Sequence, residues 1–110
     1  MSYCVYITRA ESWLDASSTP IAEDEWLAVV ASDATLVVNK SDYVDRRLPD
    51  GTIQRSHPVE WMQADDDNRL WWSHGAIECK NPSARWRGKM IELAARLHAR
   101  VLGEEDEEYR

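Results

Sequence analysis

Apolar and polar residues alternate in short runs over most of this chain, a spacing that predicts β-strands because successive strand side chains point to opposite faces of a sheet. Such runs cover residues 3–7, 35–38, 43–48, 52–62, 69–72 and 76–79. Turn-forming residues separate them. Pro49-Asp50-Gly51 lies between two of the runs and predicts a hairpin, and Asp65-Asp66-Asp67-Asn68 predicts a further turn.

A first helix is predicted after the first strand. Thr19 is expected to cap it, with Pro20 in the first helical position, where a missing backbone N–H costs nothing. Trp26 and Val30 then lie about one turn apart on an apolar face. The helix is expected to end near Ser32.

The second predicted helix has the clearest pattern in the chain. Asn81 is expected to cap it and Pro82 to take its first position. Apolar residues then recur every three or four positions, as on one buried helical face: Trp86, Met90, Leu93, Ala94, Leu97 and Val101. Gly88 interrupts this helix and is expected to permit close packing on the sheet.

The order of elements is β-α-β-β-β-β-α, followed by a short strand or an extended tail over residues 100–102. This order predicts an α+β fold in which an antiparallel sheet of four to six strands carries two helices on one face. A chain of 110 residues has room for one core. We therefore expect a single domain over 1–110 with an acidic C-terminal tail at 103–110.

Six tryptophans and no phenylalanine make the composition unusual. Each indole carries a large apolar surface and one N–H donor. Trp26 and Trp86 lie on the apolar faces of the predicted helices and are expected in the core. A small domain is expected to leave some of the others at its surface, where an aromatic side chain ringed by acids is typical of a protein-binding anchor.

Three other tryptophans flank the acidic turn. Trp71 and Trp72 are adjacent in a strand and must point to opposite faces, so one of them is expected on the face that the helices leave open. The turn is expected to bring Trp61 close to one of the two. The predicted partner-binding site is therefore Trp61, Asp65, Asp66, Asp67, Trp71 and Trp72. A purely structural cross-strand aromatic pair explains the same pattern equally well.

The net charge of −7 disfavours nucleic acid as a partner and favours a basic protein surface. Basic residues gather in 80–102, where they are expected to form the solvated face of the second helix, with the acidic tail as counter-charge. The chain contains no apolar run of membrane-spanning length and no secretory signal. Cys4 and Cys79 lack CxxC spacing and are expected to be reduced thiols. A cytoplasmic protein without membrane contact is therefore expected.

Catalytic and metal-binding motifs are missing from the sequence. His57, His74 and His98 lie in different elements, without the i, i+4 spacing of helical metal sites. The acidic turn lacks the alternation, the glycine and the distal glutamate of a calcium loop. An acid–base pair such as Glu60 and Glu78 stays open, as in any acidic domain. The sequence thus predicts no catalytic residues, no metal and no cofactor.

Four stretches carry a family resemblance. They are Ile7-Thr8-Arg9-Ala10-Glu11-x-Trp13, Ile21-x-x-x-Glu25-Trp26-Leu27-x-x-Val30-x-x-Asp33, Lys80-Asn81-Pro82 and Lys89-Met90-x-x-x-Ala94-x-x-Leu97-x-Ala99-Arg100-Val101-x-Gly103. In these stretches the chain resembles small bacterial immunity proteins of polymorphic toxin systems (contact-dependent, Rhs-type or type VI effectors). The resemblance implies a cytosolic, non-enzymatic domain that occludes a toxin's active site, with partner specificity expected in residues 40–70.

We therefore expect an immunity protein that binds a cognate toxin, and we expect that toxin to have a basic cleft. Its acids would steer association and its tryptophans would supply buried area. The alternative is a small ligand-binding domain or an enzyme that uses the open sheet face, and a structural or regulatory adaptor is a third class. An immunity gene is expected directly downstream of a large toxin gene, which distinguishes the first class from the others.

Overall fold

Nine strands, two α-helices and one 3₁₀ helix make up residues 2–110, the part of the chain that the computed structural model describes. The strands β1 to β9 are Cys4–Thr8, Leu36–Val38, Val44–Arg47, Ile53–Ser56, Val59–Trp61, Arg69–Ser73, Ala76–Lys80, Arg100–Gly103 and Glu108–Tyr109. The helices α1 and α2 are Glu23–Ala31 and Ala84–Arg96, and the 3₁₀ helix is Trp13–Ser18. Neither α-helix has the length and the apolar character that a membrane crossing requires.

Seven of the strands form one antiparallel sheet in the order β2-β5-β6-β7-β1-β8-β9, and β3 and β4 form a separate hairpin. The predicted α+β class is confirmed, as are the antiparallel sheet and its two helices. The sheet exceeds the expected four to six strands for one clear reason. The acidic tail, for which no strand is predicted, adds β9 to its edge against β8.

The run at 52–62 divides into β4 and β5 at Pro58. Proline has no N–H to donate and restricts the residue before it, so a ladder does not continue through it. β5 pairs with only the first two residues of β6, Val59 opposite Leu70 and Glu60 opposite Arg69. Over the part of the chain that the structure describes, the rest of β6 has no strand partner on that side, and the β3–β4 hairpin lies beside it instead.

Both α-helices pack on the same face of the sheet, as predicted. Val5 and Ile7 of β1 point toward the helices and are 1% and 0% exposed, whereas Tyr6 between them points away. Trp26 of α1 and Trp86 of α2 are each 1% exposed and belong to one continuous core. The expectation that these two tryptophans are core residues is confirmed.

Helix α1 begins later than the sequence predicts. The expected cap, Thr19, ends the 3₁₀ helix instead. Ile21 is buried and donates its N–H to the Gly75 carbonyl at 2.9 Å, a tertiary bond that keeps this segment outside the helix. Ala22 is the N-cap, and the Glu25 carboxylate accepts its backbone N–H at 3.1 Å.

Helix α2 also begins later than the sequence predicts, in this case by two residues. Ser83 is the N-cap, and its Oγ accepts the Trp86 N–H at 3.2 Å. Asn81 has φ +49°, unlike the extended backbone of an N-cap, and donates its N–H to the Tyr3 carbonyl at 2.7 Å. A Cβ added to Gly88 would meet nothing within 4 Å. Gly88 therefore faces solvent, and the expectation that it permits close packing is wrong.

The acidic tail is bonded into the fold. The Glu104 carbonyl accepts the indole N–H of Trp13 at 2.7 Å, and the Asp106 carboxylate accepts the backbone N–H of Trp13 at 3.1 Å. Glu107 accepts the Tyr3 hydroxyl, a bond that raises the pKa of Tyr3 to about 12. The tail therefore joins the two ends of the chain in addition to carrying charge.

Candidate functional site

The sheet face opposite the α-helices carries the candidate site. Tyr6 of β1, Glu78 of β7 and Trp71 of β6 lie side by side across three strands and point to this face. At the β1 end the 3₁₀ helix covers it, because Trp13 stacks on Tyr6 with ring centroids 4.8 Å apart and planes 4° from parallel. The indole of Trp71 has no such cover and is half-buried.

A main cavity of about 540 Å³ lies between this face and the β3–β4 hairpin. Its lining comes from the hairpin, the acidic turn and the sheet: Val44, Asp45, Arg46, Ser56, Asp67, Asn68, Arg69, Trp71, Trp72, Ser73, Glu78 and Lys80. Val44 is 53% exposed although it lines the cavity. The main cavity therefore opens to solvent beside the hairpin.

Two smaller cavities share lining residues with the main cavity. One, of about 310 Å³, shares Asp67 with it and reaches Met62. The other, of about 280 Å³, shares Glu78 with it and reaches Leu14. Met62 and Leu14 are 68% and 71% exposed. We call these three cavities, which share lining residues, the open-face groove; each of the two smaller cavities includes an exposed apolar side chain.

Arg46 connects the hairpin to the sheet within the main cavity. Its Nη1 donates to Ser73 Oγ at 3.3 Å, its Nη2 donates to the side-chain carbonyl of Gln54, and its guanidinium lies 5.6 Å from the centre of the Trp72 ring. The Nε–H of Arg46 is buried without a hydrogen-bond partner among the described residues. No described carboxylate lies within 4 Å of this guanidinium.

Two neighbouring charges of the main cavity already have partners. Asp45 accepts two hydrogen bonds from Arg55, at 2.7 and 3.0 Å, and these bonds lower the pKa of the Asp45 carboxyl. Arg69 bonds to Asp42, and its Nε lies 3.3 Å from a carboxylate oxygen of Glu60. Arg46 is thus the partly buried cation of the cavity that has no counter-ion among the described residues.

The two adjacent tryptophans point to opposite faces, as predicted. Trp71 lies on the open face and lines the main cavity. Trp72 packs against the core and donates its indole N–H to the Ile21 carbonyl at 2.8 Å, although one side of it also borders the main cavity. Of these two tryptophans, Trp71 is therefore the one on the open face.

Trp61 does not join Trp71 on the open face. Trp61 pairs with Leu36 in the ladder and points toward the helices, where its ring meets Trp86 edge-on with centroids 5.3 Å apart. The guanidinium of Arg85 lies 4.8 Å from its ring centre. The expected proximity of Trp61 to the open-face tryptophan is wrong, because strand alternation across the β5–β6 pair puts them on opposite faces.

The three acids of the turn have different surroundings. Asp66 accepts the indole N–H of buried Trp86 at 2.7 Å. Asp65 is 79% exposed at its side chain and lies 3.9 Å from Arg85. Asp67 lines both the main cavity and the cavity that reaches the β2 edge. Asp67 thus lines two of the cavities, whereas Asp66 lines one of them and also bonds to a core side chain. The role of the three acids in binding a partner stays a prediction.

Residues with catalytic or metal-binding potential are dispersed. In the part of the chain that the structure describes, no three His, Cys, Asp or Glu side chains meet in a metal-binding group. Glu60 and Glu78 lie on strands that β6 separates. Burial raises the pKa of Cys4, and burial raises the pKa of Cys79 to about 12. Both thiols therefore stay protonated at neutral pH.

Sequence reasoning missed the hairpin as part of the site. Arg46 and Arg47 are adjacent and carry the same charge, so nothing in the sequence distinguishes them. Alternation along β3 indicates that they point to opposite sides. Only the packing of the hairpin beside β6 decides that Arg46 is the one that reaches Ser73.

Comparison with known proteins does not identify a relative. No protein-family model, curated protein or solved structure matches this chain at a significant level. The resemblance to immunity proteins therefore stays a prediction, and the functional argument depends on the open-face groove.

Proposed function

We propose that this protein binds and neutralises a cognate bacterial toxin in the cytoplasm, as an immunity protein that covers the toxin's active site and has no catalytic activity of its own. The open-face groove is the observation that carries this proposal. It combines a sheet face that neither α-helix covers, the half-buried indole of Trp71 and the exposed apolar side chains of Met62 and Leu14. Extended apolar surfaces with polar rims are typical of protein interfaces.

Charge supports a basic partner. The net charge of −7 attracts a positively charged cleft and repels nucleic acid. Asp67 in the groove and the largely exposed Asp65 beside it place acids along the rim. In this arrangement the rim charges speed association, whereas the buried aromatic contact at Trp71 slows dissociation.

A growth assay with the product of the adjacent upstream gene tests the proposal. Expression of that toxin should arrest growth, co-expression of this protein should restore it, and the two purified proteins should form a complex. Failure to bind or neutralise the neighbouring product contradicts the proposal. Turnover of a substrate by the purified protein, lost on changing His57 or His74, contradicts its non-catalytic part.

Variants of the two adjacent tryptophans locate the interface. Trp71→Ala should weaken affinity by about 2 kcal/mol or more and leave the melting temperature close to that of the wild type. Trp72→Ala should instead destabilise the fold by about 3–5 kcal/mol. Leu27→Ala is the matched control, because Leu27 is an exposed apolar residue on α1, away from the groove. Unchanged binding by a folded Trp71→Ala variant places the interface elsewhere.

A small-molecule binding protein is the second candidate, and the size of the main cavity favours it. Its volume of about 540 Å³ falls within the range of about 300–1,000 Å³ that is usual for small-ligand sites. A thermal-shift screen of metabolites separates the two candidates. A ligand that stabilises the wild type and not Trp71→Ala supports this second function.

A further inference from the structure

Arg46 is the group in the main cavity whose bonding is incomplete. Two of its nitrogens donate to neutral oxygens, of Ser73 and Gln54, and its buried Nε–H has no acceptor. A guanidinium that is partly removed from water normally bonds to a carboxylate or a phosphate. Among the described residues no carboxylate bonds to Arg46, since the adjacent acid of the hairpin, Asp45, is bonded twice to Arg55.

The rest of the lining limits which anion fits. Trp71 offers the face or edge of an indole beside Arg46, since it lies two residues before Ser73 on the same strand face. Asp67 and Glu78 also line the main cavity and have no ion pair in the described structure. These acids disfavour a doubly charged phosphate, whereas a singly charged carboxylate at the Arg46 end experiences less repulsion.

The opposite end of the cavity carries Lys80, a cation without an ion pair among the described residues. Lys80 lies across the β6–β7 pair from Arg69, on the far side of Trp71 from Ser73. Strand geometry puts the Arg69 end and the Ser73 end of β6 roughly 13 Å apart. A ligand of moderate size therefore reaches Arg46 with its charged group while its body covers Trp71.

We propose that the main cavity binds an organic carboxylate, with the charged group on Arg46 and an apolar or planar body against Trp71. The carboxylate belongs either to a free small molecule or to a partner protein that inserts a glutamate or aspartate side chain. This inference does not depend on the proposed toxin, because the site and its ligand can be tested on the protein alone.

Titration of the ¹⁵N-labelled protein with sodium indole-3-acetate tests the proposal through the arginine Nε–H signals. The Arg46 signal should shift and saturate at concentrations up to about 10 mM, the affinity range of a small fragment held by one charged contact. Indole-3-acetamide, which has the same body without the charge, should shift it at least about tenfold less effectively.

Variants give an independent readout of the same site. Arg46→Gln should weaken indole-3-acetate binding by at least about tenfold, because charged hydrogen bonds are worth more than about 1.4 kcal/mol. Arg47→Gln is the matched control on the other side of β3 and should bind as the wild type does. If Arg46→Gln fails to fold, the comparison of acid and amide on the wild-type protein still decides the question.

A second titration distinguishes the two sources of the carboxylate. The probes are the blocked peptide acetyl-Leu-Glu-Leu-amide and the same peptide with glutamine in place of glutamate. Tighter binding of the glutamate peptide than of indole-3-acetate supports a partner's side chain, and the reverse order supports a free small molecule. No saturable shift of Arg46 with either acid, or equal shifts with acids and amides, overturns the proposal.

Discussion

At the scale of single residues, exposure and structural role diverge in the acidic turn. Asp66 is exposed, yet its carboxylate is the acceptor for the indole N–H of Trp86, a side chain that is only 1% exposed. Asp67, next to it, contacts the groove and has no such bond. We therefore expect alanine to be tolerated less well at Asp66 than at Asp67, because a buried donor needs its acceptor.

Asp66→Ala is expected to lower the free energy of unfolding by about 1–3 kcal/mol, the cost of leaving a buried N–H without an acceptor. Asp66→Asn keeps an oxygen acceptor and should recover most of this loss. Asp67→Ala is the control and should stay within about 0.5 kcal/mol of the wild type. Thermal and urea melts measure all three variants, and equal stability of Asp66→Ala and Asp67→Ala contradicts the structural role.

A buried ion pair between Asp33 and Lys89 makes stability depend on pH. Lys89 Nζ lies 2.7 Å from Asp33 Oδ2, with side chains only 6% and 9% exposed. The hydrogen bond from Lys89, followed by those from Thr35, holds the pKa of Asp33 well below its ordinary range. A carboxyl with a lowered folded pKa stabilises the fold above its unfolded pKa of about 3.9, and this contribution disappears as the pH falls toward the folded value.

Asp33→Asn is expected to cost about 3 kcal/mol at neutral pH, because it leaves the Lys89 charge buried without its partner. Below about pH 4 the gap between wild type and variant should narrow, since the unfolded wild-type chain then takes up a proton at Asp33 that the folded protein resists. Glu92→Gln is the control, because Glu92 is 61% exposed and lies 3.6 Å from Lys89. Urea denaturation across this pH range measures the gap, and a gap independent of pH excludes the linkage.

At the scale of elements, local patterns set which segments are helices or strands, and tertiary bonds set where they begin. The buried Ile21 and its bond to Gly75 delay α1, and the bond of Asn81 to Tyr3 delays α2. The acidic tail likewise pairs with β8 as strand β9, although the sequence predicts no strand there. Element ends thus depend on distant partners that no local pattern contains.

Alanine substitutions at two glycines with opposite surroundings test where the structure places these two residues. Gly88→Ala in α2 is expected to stabilise the protein by up to about 1 kcal/mol, because alanine is the better helix former and the added methyl meets open space. Gly75→Ala should destabilise it, since Gly75 has φ +83° and an added Cβ would lie 2.6 Å from Pro20 Cβ. Melting temperatures of both variants check the signs, and a loss of stability in Gly88→Ala refutes the solvent-facing placement.

At the scale of the whole molecule, the two faces of the sheet have different surroundings. One is covered by α1 and α2 and holds the core, and the other carries the open-face groove between the 3₁₀ helix and the β3–β4 hairpin. The chain carries 20 acids against 13 bases. A long-range negative field of this kind acts mainly on the encounter with a partner.

Association with the proposed partner is therefore expected to be salt-sensitive. Raising ionic strength from low to physiological should slow association several-fold, because the Debye length falls to about 8 Å, and should change dissociation much less. Asp65→Asn with Asp67→Asn should reduce the salt dependence, whereas Glu11→Gln, an exposed acid outside the cavities, serves as the matched control. Stopped-flow kinetics measures both rates, and an association rate independent of salt shows that the acidity serves another purpose.

The sequence alone determined the α+β class, the hairpin at Pro49-Asp50-Gly51, the apolar face of α2 and the opposite directions of Trp71 and Trp72. These features depend on periods of two or about 3.6 residues and on turn chemistry, which act between residues close together in the chain. A local rule is sufficient for each of them.

Only the tertiary structure decided which side of each strand is covered. It turned Trp61 onto Trp86, gave Asp66 a buried donor and placed Arg46 over an open cavity. Each of these outcomes joins residues at least 20 positions apart, and alternation in a strand is symmetric between its two faces until packing chooses one. The physical reason is that the pairing and burial of distant segments, which no local pattern contains, decide which face is covered and which stays open.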